Sequence, residues 1–178
     1  MIEQVLSFWF ERHGPDDWWA KEPAFDAAIR SEFGALHASA ALGELHDWRE
    51  GPDGRLAEIV VLDQFSRNLY REDPRAFACD GMALALAQEA LRAGADHAVL
   101  PEQRKFFYMP YEHSESPRIH EIAVALFESL DDPRSLDYEL QHKAIIDRFG
   151  RYPHRNKALG RASTAEEIAF LNTPNSSF

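Results

Sequence analysis

The chain has 178 residues, 45% hydrophobic and 28% charged, the make-up of one globular domain with a substantial core. Its net charge of −11 argues against a general binder of nucleic acid or anionic membrane, since both surfaces repel it. Cys79 is the only cysteine, so no intramolecular disulfide forms, which suits a reducing cytoplasm.

The N-terminus, Met-Ile-Glu-Gln-Val-Leu-Ser-Phe-Trp-Phe, lacks the basic region of a signal peptide and turns charged at Glu11 and Arg12. No apolar run approaches the roughly 20 residues that cross a bilayer, so a soluble protein is expected. Residues 2–12 read as a short helix, broken by Gly14-Pro15, with Asp16 and Asp17 placed to cap the turn carrying Trp18 and Trp19. Aromatics this dense at a terminus dock it onto a core; an aromatic ligand box is the sharper alternative.

The next helix is predicted from Pro23 to Ala41, with Phe25, Ile29, Phe33, Leu36 and Ala40 on one face. Leu42 to Trp48 reads as a second short helical piece and Gly51-Pro52-Asp53-Gly54 as a loop. Over Arg55 to Tyr70 the apolar residues surround the helical wheel, which predicts a central, buried helix. Asp63 falls within its apolar surface, with Arg67 and Arg71 following at i+4 and i+8.

Residues 80–93 read as a helix with Leu84, Leu86, Ala87, Ala90 and Leu91 inward and Gly94 as its stop. Pro101 starts a helix that Pro110 is expected to end, leaving 111–116 as a loop. Pro117 starts an amphipathic helix with Ile119, Ile122, Ala123, Leu126, Phe127 and Leu130 in its stripe. Pro133 begins the last long helix, which ends at Gly150 and has His142 in the middle of its apolar face. Ser163-Thr-Ala-Glu166 predicts a capping box for a closing helix to Leu171, and 172–178 a frayed tail. No segment alternates with period two, so the fold class is all-α, one domain over 1–178, its short connectors suggesting antiparallel helices and no sheet.

Charge is unevenly spread. Residues 142–161 hold six cations, Lys143, Arg148, Arg151, Arg155, Lys157 and Arg161, against one acid, Asp147. The segment is therefore +5 and the rest of the chain −16. Either acids elsewhere clamp it, or Arg151, Arg155 and Asn156 help to bind an anion. Asp63-Gln-Phe-Ser-Arg67 and Asp147-Arg-Phe-Gly-Arg151 also share Asp-x-Phe-x-Arg. A true repeat would make two helical halves presenting Asp/Arg pairs to one another; chance is the alternative.

Phe-Trp-Phe at 8–10, Leu-Asp-Gln-Phe-Ser-Arg-Asn at 62–68, Met-Pro-Tyr-Glu-His-Ser-Glu at 109–115 and Arg-Phe-Gly-Arg-Tyr-Pro-His-Arg-Asn at 148–156 fall in order along the chain. With Leu-Gly-Arg at 159–161 and Ser-Thr-Ala-Glu-Glu at 163–167, it resembles domain-of-unknown-function family 924 over nearly its whole length. The resemblance implies a helical array similar to a tetratricopeptide-repeat superhelix, and it implies no established reaction.

The candidate ligand-binding residues are Asp63, Arg67, Asn68, His113, Glu115, His142, Arg151, His154, Arg155 and Asn156, with Arg71 beside them. Arginines among apolar groups are forks for carboxylate or phosphate, and His113 or His154 can shuttle protons near neutral pH. Each has a structural alternative: an Asp63–Arg67 pair that fixes helix register, and a hydrogen-bonded core histidine at 142. His113, Glu115, His120 and His142 make only a weak metal set without a ligand motif, so no metal and no cofactor is expected. The reading is a binding module for a small anionic ligand or an acidic peptide. The alternative is an enzyme with histidine as acid or base on an arginine-anchored anion.

Overall fold

Proline sets where these helices begin. It has no N–H to leave unpaired in a first turn, and its φ is already helical. Six α-helices start at one: α2 (Pro15–Trp18), α3 (Pro23–Ala41), α4 (Pro52–Val60), α7 (Pro101–Glu112), α8 (Pro117–Glu128) and α9 (Pro133–Phe149). The others are α1 (Ile2–Ser7), α5 (Ser66–Leu69), α6 (Asp80–Arg92) and α10 (Ala165–Leu171). The computed structural model describes residues 1–176, and among them there is no strand. No described helix is long and apolar enough to cross a membrane.

The chain divides into two compact units, residues 1–71 with 75–110, and residues 72–74 with 111–178. In the first, α4 and α5 are one continuous rod joined by a π-helical turn, Val61–Phe65, and the rod packs on α1, α3 and α6. Leu56, Ile59, Val60, Val61, Leu62 and Phe65 are buried, which is the central helix expected of an all-round apolar pattern. Of the N-terminal aromatics Phe8 and Trp9 are core, Phe10 and Trp18 are half-buried against them, and Trp19 is exposed. Trp9 stacks on Trp18 at 5.5 Å between centroids and meets Phe65 and Phe106 edge-on.

Several local expectations are corrected here. The sequence Gly51-Pro52-Asp53-Gly54 is a helix start, with Gly51 as N-cap and Pro52 in the first turn. Gly54 is needed for close approach, since a Cβ there would lie 1.9 Å from the Trp48 carbonyl oxygen. Residues 42–45 form turns, and the short helix after them is a 3-10 segment, His46–Glu50. Helix α7 continues through Pro110 to Glu112. The proline stands in its last turn, where it removes one backbone bond, to the Phe106 carbonyl, and that loss does not end the helix. Along α6 the buried face is Ala83, Ala87 and Ala90, with the leucines half-buried beside it.

In the second unit α8 packs against α9. Ile145, Ile146 and Tyr152 form a core with Phe149 and Phe170 against it, while Ile122 is exposed. Asp132 caps α9 by accepting from the Arg134 and Ser135 amides, and Gly150, at φ 68°, ends it. The capping box of α10 lies one residue later than the pattern suggested, between Thr164 and Glu167. Ser163/Glu166 and Thr164/Glu167 both satisfy the spacing, but only Glu167 is also held by Arg151. Residues 172 and 173 bond back to the end of α10, and Ser176 donates to the Leu171 carbonyl. Residues 177 and 178 lie outside the described range.

Candidate functional site

In the first unit, the π turn carries Asp63, 1% exposed, into the core. Its carboxylate accepts from Gln64 Nε2 at 2.6 Å and pairs with Arg67 at 3.1 Å. Arg67 reaches on to Asp80 with both terminal nitrogens, at 3.0 and 3.1 Å. Asn68 and Arg71 share a different acid. Asn68 Nδ2 donates to Asp26 at 2.8 Å, and Arg71 grips the same carboxylate with Nε and Nη2. Sequence spacing found the Asp63–Arg67 pair; Asp80 and Asp26, distant in the chain, gave no local signal.

The second unit gathers most of the other candidates around Tyr152. Its ring centroid lies 5.7 Å from that of His142, 5.5 Å from His154 and 6.3 Å from His120. The Arg155 guanidinium lies over the ring at 4.4 Å. His113 and His142 approach to 6.5 Å between centroids. The Tyr152 hydroxyl donates to the Glu112 carbonyl and lies 3.2 Å from His120 Nε2. Burial first of all suppresses its ionisation.

A second layer braces this turn. Glu115 accepts the Tyr152 amide at 2.7 Å and a two-nitrogen grip from Arg161 at 2.6 and 2.8 Å. Arg161 Nε also donates to Asn156 Oδ1, whose Nδ2 reaches Ser163. Burial alone would raise the Glu115 carboxyl, but Arg161 and the amide outweigh it and hold it low. Glu115, Asn156 and Arg161 therefore set the path of residues 152–156.

His120 and Glu139, both fully buried, meet at 2.8 Å. His120 Nε2 bonds the Ser114 carbonyl, which can only accept, so that nitrogen carries a proton. A further proton lies on the axis between Nδ1 and Glu139, whose carboxyl burial pushes up against the pull of His120. His142 is different: Nδ1 donates to the Tyr138 carbonyl at 2.8 Å, and burial drives its pKa well below the usual histidine value. His142 is therefore a neutral imidazole with its base nitrogen at Nε2. Among the described residues no three His, Cys, Asp or Glu side chains are placed to hold a metal ion.

Within the basic segment Lys143 pairs with Asp147, Arg148 with Glu166, Arg151 with Glu167, and Arg161 with Glu115. Arg151 spends its remaining reach on the Ala162 carbonyl. The two Asp-x-Phe-x-Arg copies fall in different units and differ in chemistry. Asp63 is buried on Arg67, whereas Asp147 is exposed on Lys143 and Arg151 turns to Glu167.

These environments set an acid response. His142 stays neutral when folded, while the unfolded chain takes up a proton near pH 6.5, so the unfolded state binds more protons and stability falls with pH below that point. The slope from this one group reaches at most about 1.4 kcal/mol per pH unit. Glu167, held down to about 2 by Arg151 and the Thr164 amide, adds stability that is full above 4.5 and lost as pH falls toward 2. Glu139, raised by burial, works in the opposite sense. Denaturant unfolding followed from about pH 7 to 5 should therefore be steeper in the wild type than in His142→Gln. Identical profiles would contradict a buried neutral His142.

Over residues 5–175 the chain matches the model of a family described as bacterial protein of unknown function, DUF924. It is 38% identical to a protein of unknown function from Agrobacterium tumefaciens, whose solved structure it matches with a TM-score of 0.92 over 96% of each chain. No curated protein matches it.

Proposed function

The chain belongs to the bacterial family of unknown function DUF924, and from its own chemistry we propose that it is a binding module for a small anionic ligand, taken beside Tyr152. The ligand-facing groups are His113, His142, His154 and Arg155; Glu115, Asn156 and Arg161 brace them, Arg151 holds Glu167 of α10, and Asp63, Arg67 and Asn68 order the first unit. One observation supports this reading above others: His142, His154 and Arg155 gather about the single buried Tyr152, with His113 against His142. Apolar side chains of like volume stabilise an interior as well or better, so such a cluster is not what stability alone selects. Polar groups with strongly shifted acidity concentrate at functional sites. Arginine supplies a fixed positive fork, which suits phosphate or carboxylate.

An enzyme is the second reading. It rests on the neutral His142, whose Nε2 would serve as a general base toward an anion held by Arg155.

A thermal-shift screen of phosphate, sulfate, carboxylate metabolites and acidic peptides, at low and high salt, tests the binding reading. A ligand at 100 times its dissociation constant stabilises the fold by about 2.7 kcal/mol. Arg155→Lys and His154→Gln should fold and lose that response. If no anion shifts the wild type, or if both variants keep the full shift, the reading is wrong.

A further inference from the structure

We propose a second site, in the first unit: the open depression lined by Lys21, Arg30 and Arg71 binds a small organic dianion, a phosphate monoester. Its wall is one face of α3. Pro23, Asp26, Ala27 and Arg30 recur there at helical spacing and line the depression together. Lys21 comes from the turn before α3, and Arg71 from the residues just after α5. Three cations surround one acid, so the depression is net +2 in a chain of −11.

That one acid is already committed. The Asp26 oxygens take Asn68 Nδ2 and the Arg71 Nε and Nη2, and this pairing fixes the Arg71 fork instead of cancelling the cluster. Arg71 Nη1 keeps its hydrogens for another acceptor. Arg30 is anchored too, through Nη2 on the Leu69 carbonyl, which leaves its Nε and Nη1. The Lys21 ammonium has no protein acceptor among the described residues.

Like charges gathered on a surface repel, and mobile side chains separate. Here two guanidinium groups are tied in place beside each other, so the ordering that an oxyanion would otherwise impose is already done. Charge-assisted bonds from arginine forks suit a tetrahedral phosphate. A net charge of +2 matches a dianion, and the apolar wall of Pro23 and Ala27 takes a small carbon body attached to it.

The test is titration of the full chain by nuclear magnetic resonance and calorimetry, with inorganic phosphate, glycerol phosphate and succinate as probes. Expected is saturable one-to-one binding with shifts at the Lys21, Ala27 and Arg30 amides, tightest for glycerol phosphate. Lys21→Gln and Arg30→Gln should each weaken it about tenfold. The unliganded melting temperature of Lys21→Gln should not move, since that side chain holds nothing in the fold. Absence of saturation overturns the site, and succinate binding tighter than glycerol phosphate overturns its assignment to phosphate. Saturation reported by His154 and Arg155 alone, with no shift at Lys21, Ala27 or Arg30, overturns it as well, while leaving the site beside Tyr152 standing.

Discussion

Replacing His120 by alanine is expected to cost about 3–5 kcal/mol, because it leaves one side of a buried imidazole–carboxyl pair without its partner. Both partners are 0% exposed, and they meet at 2.8 Å. His120 also spans the Ser114 carbonyl and the Tyr152 hydroxyl, so the variant orphans a carboxyl, a carbonyl and part of a tyrosine contact together. Glu139 Oε2 already lacks a partner among the described residues and has no compensation to offer. Glu139→Gln should lose far less, about 1 kcal/mol, since a neutral amide keeps the shape and a bond to the ring. Denaturant unfolding at neutral pH separates the two. Equal losses would mean that packing, not the pair, sets the cost.

How much of this was readable from the chain depends on how local each cause is. Helix starts and stops were legible where a proline, a cap or a glycine decides them. Pro23–Ala41 and the Gly94 and Gly150 ends are such cases. Gly54 misled because a glycine needed for close approach looks the same in sequence as a glycine needed for a turn. The π turn at Val61–Phe65 was invisible, since fixed 100° spacing assumes there is no extra residue.

The basic segment shows a different limit. Its excess charge was real, but the window of 142–161 stopped just short of Glu166 and Glu167, which hold Arg148 and Arg151. Glu115, the partner of Arg161, lies far upstream. Charge summed along a chain says little about charge summed in space. The converse case is Lys21, Arg30 and Arg71: no window joins them, yet they line one depression. Tyr152 gives no such local sign of its central place, because a tyrosine in a loop carries no signal that His120 of α8 and His142 of α9 will pack against it.

Asp63→Ala is expected to cost about 3 kcal/mol or more, the lower part of the range for breaking a buried pair. The carboxylate is 1% exposed and answers Gln64 Nε2 at 2.6 Å and Arg67 at 3.1 Å. Its loss strands the Gln64 amide, whose other contact is the weak acceptor Met109 Sδ at 3.6 Å. Arg67 is better protected: it keeps Asp80 and the Asp63 backbone carbonyl, which is why the upper end of the range is not expected. Asp63→Asn keeps volume and an acceptor while removing charge, so it should fall well below the alanine variant. A double-mutant cycle with Arg67→Met then isolates the pair, with a coupling of about 0.5–3 kcal/mol for groups in direct contact. If Asp63→Ala loses less than about 1 kcal/mol, the pair behaves as an exposed one and the central rod does not depend on it.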